Sequence, residues 1–172
     1  LKTVSDLLNK IFTQLNSNDP LWKNPDLLKE YQEHLSDLQL MTAKPILYLF
    51  NIDEDKLSDQ NFKDSLNKLV APALTVFVSA KLEDELRGLD ENDRLEMLES
   101  YGQDDPGLNK VIHTAYDLLG LQSYLTAGEK EVRAWTIHQG DTAPQAAGVI
   151  HTDFEKGFIA AQIVNYNDLI EA

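Results

Sequence analysis

Residues 44–55 read KPILYLFNIDED, and residues 72–81 read PALTVFVSAK. Each stretch holds a short continuous apolar run, at 46–50 and at 74–78, which is typical of a strand buried on both faces of a sheet. Apolar residues at helical spacing lie between the two runs, and residues 82–89 predict another helix. This strand–helix–strand–helix order indicates a parallel sheet with right-handed crossovers.

Polar residues follow both predicted strands. Asn51 and Glu54 come after the first strand, and Ser79, Ala80 and Lys81 come after the second. Ligands of open parallel sheets bind beyond the carboxyl ends of the strands. An Asn side chain can tie two loops together, and a carboxylate can accept hydrogen bonds from a ring donor and an exocyclic amine. The pattern therefore predicts a shared ligand site, with a solvated loop as the alternative.

The helical parts of the chain are marked by their caps. Residues 1–42 predict two amphipathic helices with a break between them, and Asn24-Pro25 has the pattern of an N-cap followed by proline at the first helical position. Asp105-Pro106 repeats that pattern before a later apolar stripe. Neither stripe carries an assigned function, because apolar stripes usually pack into a core.

The last part of the chain predicts a second small α+β module beyond a boundary near residues 121–128. Residues 132–137 alternate like a half-buried strand. Thr152-Asp153-Phe154-Glu155 has the spacing of a capping box that opens a short helix. Residues 162–166 predict a closing strand.

Composition excludes several classes of protein. The 172 residues carry a net charge of −14 and no cysteine. The charge disfavours broad binding to phosphate backbones, and the missing cysteines rule out disulfides, Cys–zinc sites and Cys nucleophiles. No apolar run is long enough to span a bilayer, and the first ten residues do not form a signal peptide. We expect a cytoplasmic protein without a membrane partner.

Motifs for other chemistry are weak. No glycine is followed by lysine, so the phosphate-binding sequence GxxxxGK[ST] does not occur in these residues. The DxxG pattern occurs at 104–107 and 117–120, where a helix is predicted to start or stop, so capping explains both. His151 and Asp153 are two residues apart, but no third metal ligand has suitable spacing. We therefore predict no catalytic residue and no metal site, and His151 as a hydrogen-bonded loop residue beside a helix N-terminus.

Several stretches resemble the YchF / Obg-like ATPase family of P-loop NTPases, and together they cover essentially the whole chain. The segment most specific to the family is 143–159, APQAAGVIHTDFEKGFI, which is similar to the family's C-terminal TGS domain. The other matching stretches are 44–48 with 51–54, 106–108, 116–121 and 126–137.

The resemblance implies an α/β plus α+β fold in three parts. Residues 1–42 would belong to a helical coiled-coil arm, 43–122 to the C-terminal part of the nucleotide-binding domain, and 123–172 to a partial, β-grasp-like TGS domain. The family's phosphate-binding loop and switch regions have no counterpart here. We therefore expect the chain to be part of a longer protein and to be inactive in nucleotide hydrolysis alone.

The resemblance also implies the role of the predicted ligand site. The family's base-recognition motif NxxE falls on Asn51 and Glu54, and the loop that closes over the base falls on Ser79, Ala80 and Lys81. In the family, Glu in place of Asp accompanies a preference for ATP over GTP. A longer parent would bind ATP or GTP with Mg²⁺ and hydrolyse it slowly, whereas the present residues alone would not bind nucleotide tightly.

The resemblance further implies association with the ribosome or ribosomal RNA. The candidate contacts in the TGS-like part are Arg133, His138 and Lys156, although ordinary surface charge explains each of them singly. Residues 124–172 hold three basic and seven acidic side chains, which predicts weak binding to generic RNA. The alternative function is a non-catalytic interaction module with a vestigial nucleotide site.

Overall fold

The structure is a computed structural model that describes the backbone of residues 2–171 and the side chains of residues 4–171. Leu1 and Ala172, at the outer ends of the predicted segments, lie outside the described residues. The chain forms two compact units that divide between Leu119 and Gly120. The predicted three-part division is not tested by this observation and stays a prediction.

The first unit begins with two packed helices, α1 (Lys2–Asn16) and α2 (Pro25–His34). Asn24 caps α2 as predicted, since its side chain accepts a hydrogen bond from the Leu27 N–H at 3.2 Å. Side chains from both helices and from the turns that follow them form one apolar core. Its buried members are Leu7, Ile11, Leu21, Leu27, Tyr31 and Ala43.

The helical prediction for residues 1–42 is wrong over its last part. The second helix ends at His34, and short 3-10 turns follow at Ser36–Leu38 and Met41–Ala43. The Tyr31 hydroxyl accepts a hydrogen bond from the Leu40 N–H at 2.9 Å, which fixes this returning segment against α2. That contact links residues nine apart, so helical periodicity does not reveal it.

The rest of the first unit contains the predicted parallel sheet. Strand β1 (Leu47–Asn51) pairs in parallel with β2 (Leu74–Val78), and Asn51 lies opposite Val78. The parallel pairing is confirmed. The accompanying helices are α3 (Gln60–Val70), α4 (Ala80–Glu85), α5 (Glu91–Ser100) and α6 (Gly107–Leu118). A second apolar core lies beside the sheet and is formed by Leu57, Leu82, Leu86 and Leu98.

The predicted start of α6 is wrong by one position. Pro106 is the N-cap and offers no side-chain hydrogen bond, so the helix begins at Gly107. Asp105 does not cap the helix, because its carboxylate accepts a hydrogen bond from the Asn109 side chain instead. The predicted helix over 82–89 begins earlier, at Ala80, because Ser79 is its N-cap.

The second unit is an antiparallel hairpin followed by short helices. Strand β3 (Leu121–Ala127) pairs with β4 (Val132–His138), and the helices are α7 (Ala143–Ile150), α8 (Thr152–Lys156) and α9 (Tyr166–Glu171). Tyr124 on β3 donates its hydroxyl hydrogen bond to the Ala146 carbonyl oxygen at 2.9 Å, which joins the sheet to α7. Burial of this side chain raises the pKa of Tyr124.

Three local predictions for this unit are corrected. Residues 121–127 form a strand rather than a boundary segment. The capping box lies at Thr142, with Gln145 as its partner, and His151 rather than Thr152 is the N-cap of α8. The closing strand over 162–166 is wrong, because residues 158–165 have no regular structure.

No helix within residues 2–171 combines the length and the apolar character that crossing a lipid bilayer requires.

Candidate functional site

The carboxyl ends of β1 and β2 bring the predicted site residues together. Because the strands are parallel and in register from Leu47 to Asn51, the polar residues that follow each strand emerge at one edge. The Asn51 side chain accepts a hydrogen bond from the Ala80 main-chain N–H at 2.9 Å, across the two loops. This contact is the loop tie that the sequence predicted.

Ser79 holds the loop that follows β2 in place. Its side chain is buried, with only 3% of its surface exposed, and its hydroxyl accepts a hydrogen bond from the Leu82 N–H at 3.4 Å. This contact caps α4, so the backbone of residues 79–81 changes from strand to helix within three residues. Ser79 therefore positions the Ala80 N–H that Asn51 contacts.

Glu54 and Lys81 form an ion pair at the same edge. Glu54 begins a 3-10 turn after β1, and its Oε1 accepts a hydrogen bond from the Lys81 ammonium group. The side chain of Glu54 is 20% exposed and that of Lys81 is 67% exposed. The hydrogen bond to Lys81 lowers the pKa of Glu54, and the same contact raises the pKa of Lys81. Both groups are therefore charged at neutral pH.

This arrangement presents hydrogen-bond donors and hydrogen-bond acceptors on one small surface. The second carboxylate oxygen of Glu54 can accept, and the Lys81 ammonium has donors beyond the one given to Glu54. A planar, polar heterocycle with donors and acceptors along one edge matches such a surface. The edge suits recognition by hydrogen bonding.

Glu83 is a neighbouring residue that sequence reasoning missed. It lies on α4, and its carboxylate accepts hydrogen bonds from the N–H groups of Gly107 at 2.6 Å and Leu108 at 3.4 Å. Because Pro106 supplies no side-chain cap, Glu83 caps α6 from a different helix. The sequence predicted Asp105 as the cap of this helix, so no signal in it pointed to Glu83.

Gly107 allows this approach. A Cβ atom at position 107 would lie 2.7 Å from Val78 Cγ1 and 2.9 Å from Glu83 Oε1, both closer than real Cβ contacts. The start of α6 therefore packs directly against the end of β2 and against α4. The second DxxG glycine, Gly120, has a φ of +61° just beyond α6, in the left-handed region.

The candidate contacts in the second unit do not share one face. Arg133 stacks its guanidinium over the Trp135 ring, 4.2 Å from the ring centroid. Arg133 and His138 lie five positions apart on β4, which is an odd number, so their side chains leave opposite faces of the sheet. Lys156 lies in the last turn of α8 and is exposed.

His151 has a local structural role. Its Nδ1 accepts a hydrogen bond from the Asp153 N–H at 3.2 Å and so caps α8. Among residues 4–171, no group of three or more His, Asp or Glu side chains could hold a metal ion.

Comparison with known proteins relates the chain to one family. Residues 121–172 match the family model YchF-GTPase_C, which is described as a protein of unknown function (DUF933). The chain is 42% identical over 167 residues to the ribosome-binding ATPase YchF of Haemophilus influenzae, and this match covers 96% of the chain and 46% of that protein. It is 39% identical over 170 residues to the ribosome-binding ATPase YchF of Bacillus subtilis, with the same coverage.

The structural match extends to both units. The YchF GTPase of Schizosaccharomyces pombe superposes with a TM-score of 0.75 at 34% identity, over 99% of this chain and 46% of that one. This chain belongs to the YchF family. It spans about half the length of the YchF relatives that it matches.

Proposed function

We propose that the β1–β2 edge is the base-binding end of the nucleotide site in a YchF-family nucleotide hydrolase. The observation that carries the proposal is the Asn51 contact to Ala80, which ties the two loops beside the Glu54 carboxylate. The residues proposed to hold the base are Asn51, Glu54, Ser79, Ala80 and Lys81.

The nucleotide is ATP or GTP. The relatives from H. influenzae and B. subtilis are named ATPases, and the S. pombe protein is named a GTPase. Mg²⁺ would neutralise charge on the phosphates during their transfer. The described residues do not supply a ligand set for Mg²⁺, so the proposal assigns none of them to the metal.

The base site is tested by titrating the 172-residue chain with AMP and following its backbone amides by two-dimensional NMR. We expect the Asn51 and Ala80 amide signals to shift, and the shifts to be lost in Asn51→Ala. A matched control is Asn109→Ala on α6, which removes an amide that contacts Asp105 rather than the site. Unchanged amide signals around the site at saturating AMP would refute the proposal.

We further propose that the chain contributes to ribosome association and acts in the cytoplasm, since the bacterial relatives are named ribosome-binding. In this proposal residues 1–42 belong to a coiled-coil arm and residues 123–172 to a TGS domain. Arg133, His138 and Lys156 are the candidate contacts on the TGS domain.

A non-catalytic interaction module is the second candidate function, and the stacked Arg133–Trp135 pair favours it. The two functions differ in their response to nucleotide. Cosedimentation of the chain with purified ribosomes, with and without ATP, separates them. Ribosome binding that is lost in Arg133→Ala, but is unchanged by ATP and by Asn51→Ala, would favour the interaction module.

A further inference from the structure

One segment outside the proposed base site contacts both of the loops that form it. Residues 101–108 run from the end of α5 into the first turn of α6, and we call them the bridging segment. One loop is the turn after β1, which contains Glu54, and the other is the start of α4, which contains Ala80. Each loop is joined to the bridging segment by side-chain hydrogen bonds, and these bonds use residues to which the proposed function assigns no contact with the base.

The turn after β1 is joined to the bridging segment through Ser58. The Ser58 hydroxyl donates a hydrogen bond to the Tyr101 carbonyl oxygen at 2.7 Å. In the opposite direction, the Gln103 side-chain amide donates a hydrogen bond to the Leu57 carbonyl oxygen at 3.4 Å. A Cβ atom at position 102 would lie 3.0 Å from Ser58 Oγ, so the segment passes close to the turn. These contacts fix the end of the turn.

The start of α4 is joined to the bridging segment through Glu83. The Glu83 N–H donates to the Ser79 carbonyl oxygen at 3.0 Å, so Glu83 lies one helical turn from the N-cap of α4. Its carboxylate accepts from the N–H groups of Gly107 at 2.6 Å and Leu108 at 3.4 Å. Because the atoms of one helical turn move together, a shift of Glu83 would also shift the Ala80 N–H.

Other contacts between the two loops leave room for these hydrogen bonds to matter. The Asn51–Ala80 hydrogen bond is exposed, so water competes with it. Leu57 and Leu82 are buried in one apolar core, against which Tyr101 packs. Apolar packing is non-directional, whereas a hydrogen bond restricts both distance and angle. The core therefore keeps the loops close, and the bridging segment fixes their orientation.

We propose that Ser58 and Glu83 are positioning residues of the base site. Through the bridging segment they hold the turn after β1 and the start of α4 in one orientation, so that Glu54 and the Ala80 N–H meet the same ligand. This inference rests on the proposed base site. It adds two residues that act on the base through the loops rather than by touching it.

The test measures the dissociation constant of AMP by amide NMR titration of the 172-residue chain. We expect Glu83→Ala to weaken AMP binding by about two- to tenfold, and Ser58→Ala by about twofold. Glu83→Gln keeps an acceptor for the Gly107 N–H, so it should recover most of the affinity. The matched controls are Asp84→Ala and Ser65→Ala, whose native hydroxyl donates to the Phe62 carbonyl oxygen within α3. Both controls should bind AMP like wild type.

A second measurement separates positioning from general stability. In the absence of AMP, Glu83→Ala should raise the hydrogen-exchange rate of the Ala80 amide by about two- to tenfold, because the loop opens more often. Ala115→Gly weakens α6 through helix propensity alone, and it should change neither that rate nor the AMP affinity. Urea unfolding of each variant establishes that it is folded at the titration temperature. If Glu83→Ala is not folded, Glu83→Gln and Ser58→Ala decide: Glu83→Gln must bind AMP nearly as wild type does, and Ser58→Ala must bind it more weakly.

The outcomes distinguish this inference from the proposed function. Equal AMP affinities in wild type, Glu83→Ala and Ser58→Ala, with the Asn51 and Ala80 amides still shifting, would overturn the positioning role and leave the base site standing. An affinity loss in Ala115→Gly as large as that in Glu83→Ala would also overturn the role, because general weakening would explain both losses. No amide shift in wild type at saturating AMP would overturn the base site and this inference with it.

Discussion

Replacement of Glu83 by alanine should selectively destabilise α6. The Glu83 carboxylate accepts one short hydrogen bond, 2.6 Å from the Gly107 nitrogen, and one long one, 3.4 Å from the Leu108 nitrogen. A hydrogen bond to a charged group contributes about 1.5–3 kcal/mol, and loss of a helix cap costs about 0.5–2 kcal/mol. Because the second bond is long and the site is partly exposed, we expect a loss of about 1.5 kcal/mol.

Amide hydrogen exchange along α6 measures this loss, because the exchange rates report the free energy of local opening. Glu83→Gln keeps an acceptor and removes the charge, so about 0.5 kcal/mol is expected from the weaker interaction with the helix N-terminus. The matched control is Asp84→Ala on the same helix. Asp84 pairs with Arg87 at 3.7 Å, and both side chains are largely in solvent, so the loss should stay within about 0.5 kcal/mol.

Equal exchange rates in Glu83→Ala and Asp84→Ala would refute the reasoning. Such a result would mean that solvent satisfies the first N–H groups of α6 as well as the carboxylate does. A loss spread evenly over both units would also contradict it, since the cap acts within the first unit.

Three further predictions concern the ion pair, the second unit and RNA. Lys81→Met should raise the pKa of Glu54 toward its ordinary value, as measured by NMR of the Glu54 carboxyl carbon. In wild type the lowered pKa of Glu54 stabilises the fold at pH values above the ordinary carboxyl pKa. This stabilisation disappears as the pH falls through the pKa of Glu54 in the folded protein. Tyr124→Phe should cost the second unit about 1 kcal/mol in urea unfolding, because its hydroxyl donates to a main-chain carbonyl of α7, whereas Tyr166→Phe, at a mostly exposed site, should cost little. The chain should bind unstructured RNA weakly at physiological salt, because residues 124–172 are acidic overall; tight binding with a steep salt dependence in fluorescence anisotropy would contradict the charge argument.

The sequence was most informative where structure is decided locally. The apolar run at 74–78 coincides with β2, although Val76 is the only buried residue of that strand, so the predicted burial on both faces is wrong. Asn24 caps α2 as predicted, because a helix cap depends on adjacent residues. The juxtaposition of Asn51 with Ala80 was also predictable, since parallel strands deliver their carboxyl ends to one edge. Local pattern and simple topology were sufficient for these features.

Contacts between distant residues were not predictable. Glu83 and Gly107 are separated by 24 residues, and no periodicity links an acid on one helix with the uncapped start of another. The strand over 121–127 was missed because its residues show only partial burial and the stretch sits where composition changes. The expected strand at 162–166 does not form, and the apolar side chain of Ile163 in that stretch is 82% exposed.

The Glu54–Lys81 pair was only partly predictable from the sequence. The sequence placed both residues at the same edge, but it could not show that their side chains pair, because Asp53, Asp55 and Glu85 offer competing carboxylates. Only side-chain geometry separates a free carboxylate from one whose first oxygen is already engaged.

The close approach of Val78 and Glu83 to Gly107 restricts which substitutions this part of the chain can accept during evolution. A side chain at 107 would collide with Val78 and with Glu83, so the residue at 107 limits the residues at both other positions. Alanine at 107 should be tolerated only beside a smaller residue at 78 and a shorter acid at 83. Across many homologous sequences, we therefore expect positions 78, 83 and 107 to covary as a triplet, although they lie on a strand and two helices.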